Sequence, residues 1–147
     1  MKSVAQILAT KPDRHVHAIA PLDSVAAAAE LMERHNIGAL LVLDGDENVV
    51  GIVSERDLAR RMIQSARPPH HTPVRDVMQT RVQCVHAGHT NEDCMALMTE
   101  KRLRHLPVLD HGRLIGLVSI GDLVKDIISE QQFIIEQLEH YIAGERC

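Results

Sequence analysis

An internal repeat constrains the fold of this chain more than any other feature. The segment NIGALLVLD at residues 36–44 aligns with RLRHLPVLD at residues 102–110, an offset of 66 positions. After a one-residue deletion, GIVSERDL at 51–58 aligns with GLVSIGDL at 116–123, an offset of 65. Repeated units of this kind bury their apolar faces against each other. The sequence therefore predicts one pseudo-symmetric module with a cleft where the two copies meet.

Each copy has the pattern of a strand, an amphipathic helix, two further strands and a second helix. The first helices are predicted at Ser24–His35 and Thr90–Lys101, where Ser or Thr stands at a favourable N-cap position. The strands that precede them are predicted at residues 15–19 and 81–85. Nearly continuous apolar strands beside helices are typical of small mixed sheets that helices cover. We predict an α/β (α+β) fold of two βαββα repeats.

The domain boundaries are predicted from the same repeat. Residues 4–63 form the first repeat, residues 74–128 form the second, and the aperiodic segment QSARPPHHTP at 64–73 is the linker. Residues 129–147 form a C-terminal helix and tail. One side of this helix carries an apolar stripe that must pack on the module or on a second subunit. The stripe contains Phe133, Ile134, Gln137, Leu138 and Tyr141.

Composition and charge argue against several classes of protein. A net charge of −4 does not suit an extended nucleic-acid surface. No stretch reaches the ~18 apolar residues of a membrane span, and the first residues lack the apolar core of a signal peptide. Cys84, Cys94 and Cys147 form no C-x-x-C pair and are odd in number, which is typical of free thiols in a reducing compartment. We expect a cytoplasmic protein whose partners include neither nucleic acid nor membrane.

The sequence contains no recognisable catalytic or metal-binding motif. Eight of its ten histidines are scattered over strands, loops and the linker, and no pair stands four apart on a helix with a carboxylate; these eight are His15, His17, His70, His71, His86, His89, His105 and His111. Ser54 and Ser119 lack the glycines of a nucleophile elbow, and no Walker loop is present. We therefore expect no catalytic residue, no metal, no catalytic cofactor and no enzymatic activity.

A Ser-x-x-Asp element stands at a strand-to-helix junction in both copies, as Ser54 with Asp57 and as Ser119 with Asp122. One interpretation is a capping box, in which the Ser and Asp side chains bond to each other's backbone N–H groups. The other interpretation is a nucleotide site. The free N–H groups of such a junction suit a phosphate, and a carboxylate accepts hydrogen bonds from two ribose hydroxyls. The residues alone leave both interpretations open, although their recurrence at corresponding places favours the second.

Together these motifs resemble a tandem pair of cystathionine-β-synthase-type (CBS) domains. GIVSERDL and GLVSIGDL, preceded by GALLVLD and RHLPVLD, carry the resemblance, which covers roughly Val4 to Ile128 and is similar to stand-alone bacterial CBS pairs. The resemblance implies two clefts for adenosine-containing ligands: AMP, ADP, ATP, NAD(H) or S-adenosylmethionine. It further implies a homodimer that signals to an unknown protein effector. Two alternatives are a structural or stress-associated interaction protein with empty clefts, and an enzyme that acts on a nucleotide.

The resemblance also implies which residues would form each cleft. Asp57 and Asp122 would bind ribose hydroxyls, while Ser54 and Ser119 would lie near phosphate. Because the clefts are composite, the adenine would be held by the copy that does not supply the Asp. The residues opposite Asp122 would be Val16, Ile37, Gly38 and Ala39. Those opposite Asp57 would be Arg81, Val82, Leu103 and Arg104, with Arg104 and His105 either meeting phosphates or forming a solvated basic strand edge. Whether both clefts take the same ligand stays open, since Glu55-Arg56 in one motif corresponds to Ile120-Gly121 in the other.

Overall fold

The computed structural model describes residues 2–12 and 15–143, and both repeats have the predicted order of elements. The elements are α1 (Val4–Thr10), β1 (Ala18–Ile19), α2 (Val25–His35), β2 (Ala39–Leu43), β3 (Val49–Ser54), α3 (Glu55–Ser65), β4 (Val85–His86), α4 (Asn91–Lys101), β5 (His105–Asp110), β6 (Arg113–Ser119) and α5 (Ile120–Ile142). Two 3-10 turns, Pro69–His71 and Val74–Asp76, lie between α3 and β4. Ser24 and Thr90 cap α2 and α4 as predicted, whereas β1 and β4 are shorter than predicted.

The strands form two three-stranded sheets of the predicted mixed type, β1-β2-β3 and β4-β5-β6. In each sheet the first strand is parallel to the second, and the second is antiparallel to the third. The register pairs Ala39 with Ser54 and His105 with Ser119. Each motif serine therefore ends its strand beside the first residue of the neighbouring strand.

Each hydrophobic core includes a segment that precedes the other repeat in sequence. Val4, Ile7 and Leu8 of α1 pack with residues of β4, β5, β6, α4 and α5. Val74 and Val77 pack with residues of β1, β2, β3, α2 and α3. Val4 N donates to His89 O at 2.7 Å, and Val74 N donates to Asp23 O at 2.8 Å. Residues 4–8 and residues 74–78 are the lead-in segments of the first and second repeats. Each packs on the opposite repeat, and together they join the repeats into one module.

The glycines that precede the two Ser-x-x-Asp elements lie where these lead-in segments cross β3 and β6. A Cβ on Gly51 would stand 2.5 Å from Met78 Sδ, and a Cβ on Gly116 would stand 2.8 Å from Leu8 Cδ2. Both distances are shorter than van der Waals contact. Any larger residue at these positions would therefore displace the Met78 or Leu8 side chain that packs against the backbone.

The C-terminal helix is the continuation of α5, which runs without a break across the predicted boundary at residue 128. Its apolar stripe is exposed: the relative exposure of the apolar side chains lies between 52% for Ile134 and 77% for Tyr141. The stripe therefore does not pack on the module, and the predicted alternative, a second subunit, remains. Residues 144–147 of the predicted tail, with Cys147, lie outside the described residues. In the described ranges no helix combines the length and apolarity needed to cross a membrane.

Candidate functional site

Two clefts lie between the repeats, and each receives one motif serine. The Ser54 cleft is a cavity of about 510 Å³, and the Ser119 cleft is a cavity of about 390 Å³. Among the predicted residues, those that line the Ser54 cleft are Ser54, Asp57, Arg81, Val82, Leu103, Arg104 and His105. Those that line the Ser119 cleft are Val16, Ile37, Gly38, Ala39, Ser119 and His105. Both cavities are thus composite, with walls from both repeats.

Asp122 does not line the Ser119 cleft, because Lys11 stands between them. Lys11 follows α1, and its Nζ lies 2.9 Å from Asp122 Oδ2 while donating a second bond of 2.9 Å to Leu117 O. Asp122 instead lines an adjoining cavity of about 290 Å³. Sequence reasoning missed this pair, since the two residues are separated by most of the chain and share no motif.

The Ser-x-x-Asp elements form capping boxes at the start of α3 and α5. Ser54 N donates to Asp57 Oδ2 at 3.1 Å and Asp57 N donates to Ser54 Oγ at 3.2 Å. The corresponding distances at Ser119 and Asp122 are 2.9 and 3.2 Å. Capping boxes also begin α1 and α4, outside these clefts. The first interpretation of the motif is therefore confirmed, but a capping box does not by itself distinguish a binding site.

The carboxylate of Asp57 is half-buried at the edge of the Ser54 cleft. Its Oδ2 also accepts a bond of 2.9 Å from Ser54 Oγ, and its Oδ1 accepts one of 2.9 Å from Gln79 Nε2. Gln79 is exposed, so its amide can exchange this bond for water at little cost. Oδ1 is thus an acceptor that a hydroxyl-bearing ligand can reach by displacing one neutral side chain.

The two clefts differ in charge. The Ser54 cleft is lined by five arginines: Arg56, Arg60, Arg81, Arg102 and Arg104. Arg60 and Arg102 were not among the residues that the sequence had suggested for a site. Arg60 was detectable in principle, because it stands one helical turn after Asp57 on α3. Glu55 and Asp57 supply the opposing carboxylates.

The described lining residues of the Ser119 cleft include four histidines, of which only His105 was predicted at a cleft, opposite Asp57: His15, His17, His35 and His105. The rings of His17 and His35 stack with centroids 4.0 Å apart. Burial lowers the pKa of His105 below its ordinary value; the charges of Lys11 and Arg104 also lower it, whereas Asp122 raises it. In the part of the chain that the structure describes, no group of three His, Cys, Asp or Glu has the arrangement of a metal site.

Comparison with known proteins identifies the repeats. The family model described as CBS domain matches residues 4–64 and 74–129. A solved structure of a candidate signal-transduction protein with CBS domains, from Burkholderia ambifaria, is 50% identical, with a TM-score of 0.85 over 88% of this chain and 96% of that chain. The CBS domain-containing protein YhcV of Bacillus subtilis is 33% identical over 89% of both chains.

Two further relatives bear on ligand and length. A structure of CBSX2 in complex with AMP is 27% identical, with a TM-score of 0.73 over 89% of this chain and 99% of that chain. The mitochondrial CBSX3 of Arabidopsis thaliana is 36% identical over 83% of this chain, but this match spans only 61% of that protein's length. From the family match and these likenesses, the chain belongs to the CBS-domain family and is a tandem pair of CBS domains.

Proposed function

We propose that this chain is a non-catalytic regulatory module that binds an adenosine-containing nucleotide in the clefts between its CBS repeats. The observation that carries this proposal is the composite wall of the Ser54 cleft, where Asp57 faces Val82 and Leu103 of the other repeat. The AMP complex of CBSX2 supports adenosine as the recognised group.

Each wall has a distinct role in this proposal. Asp57 accepts the ribose hydroxyls once Gln79 turns away, and Ser54 lies near the phosphate. Val82 and Leu103 hold the adenine by apolar contact, as Val16 and Ile37 do in the Ser119 cleft. Such a site suits a protein with one Phe, one Tyr and no Trp, which cannot stack a base between aromatic rings.

Regulation follows if the ligand binds two arrangements of the repeats or subunits with different affinity. A nucleotide that bridges both repeats satisfies this condition, because any change in their relative position alters its contacts. AMP, ADP, ATP, NAD(H) and S-adenosylmethionine are the candidate signals. The homodimer, the cytoplasmic location and the protein effector stay predictions of the sequence.

A thermal-shift screen with AMP, ADP, ATP, NAD, NADH and S-adenosylmethionine tests the proposal. A ligand at about 100 times its Kd adds about 2.7 kcal/mol to the stability of the folded state. We expect a raised Tm with at least one compound, and loss of that shift when Asp57→Ala is combined with Asp122→Ala. Asp93→Ala is the matched control, since it removes the capping box of α4 but leaves both clefts intact.

Two results would contradict the proposal. If none of the six compounds changes the Tm, the structural or interaction protein with empty clefts becomes the better interpretation. If the pure protein turns over ATP or NAD and loses this activity in Asp57→Ala, the chain is an enzyme.

Lys11→Met is expected to tighten adenosine binding in the Ser119 cleft. The substitution removes the ammonium that pairs with Asp122 and leaves that carboxylate available to ribose hydroxyls. Because both side chains are partly exposed, the pair contributes at most about 1 kcal/mol, which corresponds to a gain of about two- to fivefold in affinity. Calorimetry with adenosine, in an Asp57→Ala background, measures this cleft alone. Lys101→Met is the control, and weaker binding by Lys11→Met would mean that Lys11 itself contacts the ligand.

A further inference from the structure

We propose that the Ser54 cleft is selective for a nucleoside polyphosphate, and that the Ser119 cleft takes a ligand with at most one phosphate. This inference rests on the proposed function and adds to it a ligand class for each cleft. It is carried by the difference in fixed charge between two cavities that the internal repeat places at corresponding positions.

The five arginines of the Ser54 cleft come from separate parts of the chain and converge on one cavity. Arg56 and Arg60 lie on α3, Arg81 lies before β4, and Arg102 and Arg104 lie between α4 and β5. All five are exposed, and among the described residues none of their guanidiniums forms an ion pair or a hydrogen bond to another side chain. A protein of net charge −4 thus concentrates five unpaired cations around a space of about 510 Å³.

Such a cluster suits a ligand with several negative charges. Charges in one cavity lie within or near the Debye length of about 8 Å at physiological ionic strength, so the guanidiniums repel each other unless an anion stands among them. Guanidinium groups also bind phosphate oxygens in pairs, through a planar fork of N–H donors. Among the described lining residues Glu55 and Asp57 alone oppose them, and Asp57 is assigned to the ribose. A chain of two or three phosphates supplies the negative charge that balances the remaining guanidiniums.

The Ser119 cleft lacks such a surplus. Lys11 is the one Lys or Arg among its described lining residues, and Asp122 already pairs with it. The other basic side chains of its described wall are imidazoles, and histidine, unlike arginine, is not a permanently charged residue. Burial keeps the pKa of His105 low, which agrees with a neutral wall. The described residues of this cleft offer shape and hydrogen bonds but little fixed charge to a polyphosphate.

An RNA strand is the other polyanion that five arginines could bind. The cavity favours a small ligand, because walls from both repeats surround it and its described lining residues include no Phe, Tyr or Trp on which bases could stack. A short single-stranded RNA is nevertheless included in the test.

Calorimetry on the full chain, without divalent cations, compares ATP, AMP, adenosine and inorganic tripolyphosphate. We expect ATP to bind at least tenfold more tightly than AMP at a site that Asp57→Ala weakens and Asp122→Ala does not. Raising the salt from 50 to 200 mM is expected to weaken ATP binding strongly and adenosine binding little. The variant Arg60→Gln with Arg104→Gln is expected to lose at least tenfold in affinity for ATP and to bind adenosine as before.

The control is Arg61→Gln with Arg113→Gln, which changes the net charge equally at exposed sites outside both clefts. Equal affinity for ATP and AMP, or equal losses in both double variants, would overturn the inference and leave the proposed function standing. If tripolyphosphate or RNA binds as tightly as ATP, the Ser54 cleft is not selective for a nucleoside polyphosphate and the inference is wrong. Absence of binding by every adenosine compound would instead overturn the proposed function itself.

Discussion

Ile7→Ala is expected to lower the free energy of unfolding by about 2–5 kcal/mol, although Ile7 is only the seventh residue of the sequence. The side chain is 1% exposed and packs in the core of the second repeat, with Leu106, Val118 and Leu123. Replacing a buried Ile with Ala loses its transfer free energy and leaves a cavity that the neighbours fill only in part. Urea denaturation followed by circular dichroism measures the loss.

Leu22→Ala is the matched control for this substitution, because Leu22 is 71% exposed and its truncation should change stability by less than about 0.5 kcal/mol. Leu123→Ala provides a second comparison, since Leu123 belongs to the same cluster as Ile7. The double variant is expected to lose less than the sum of the single losses, as neighbours in one cavity are coupled. A stability of Ile7→Ala equal to that of the wild type would mean that α1 does not pack in this core.

The position of α1 also links stability to the site. The same short helix buries Ile7 and Leu8 in the second core and is followed by Lys11, which bonds to Asp122 and to Leu117 O. The wall of the Ser119 cleft therefore depends on the docking of α1 on the second repeat. By contrast, the Ser54 cleft uses Gln79, which follows the lead-in segment of the second repeat and pairs with Ile52.

The sequence was sufficient to predict most local elements of the fold, but not the helix α1. Apolar periodicity and Ser or Thr caps predicted α2 and α4, and the aligned motifs predicted the same order of elements in both repeats. The exchange of lead-in segments was not predictable in this way. The apolar residues of VAQIL, at positions 4–8 in α1, indicate that one face of this helix is buried. They carry no information on which of the two similar cores receives that face.

Residues of the candidate clefts were predictable to the extent that they belong to the repeated motifs. Ser54, Asp57 and the edges of β2 and β5 are in motifs, and the structure brings them to cavity walls. Lys11, His15, His17 and His35 are not in motifs, and they come together in the Ser119 cleft only through the tertiary packing of the two repeats.

Asn91→Ala is expected to lower the free energy of unfolding by about 2–3 kcal/mol. Asn91 is fully buried at the start of α4, and its Nδ2 donates to Leu123 O at 3.0 Å and to Asp126 Oδ2 at 2.8 Å. Lys2 Nζ lies 3.4 Å from the other oxygen of Asp126. Removing the amide leaves a buried carboxylate that has lost a charge-assisted hydrogen bond, which costs more than losing a bond between neutral groups. Urea denaturation at pH 7 measures the change.

The cost of Asn91→Ala should fall when the carboxylate is removed as well. Once Asp126 is replaced by Leu, no buried charge is left without a donor, so the double variant should lose less than the sum of the single losses. A coupling of about 0.5–3 kcal/mol is expected for two groups in direct contact. Additive losses would mean that Asn91 and Asp126 act independently and that Lys2 alone compensates the carboxylate. The strength of this pair decides how firmly α4 is fixed to α5, whose first turn carries Asp122 beside the Ser119 cleft.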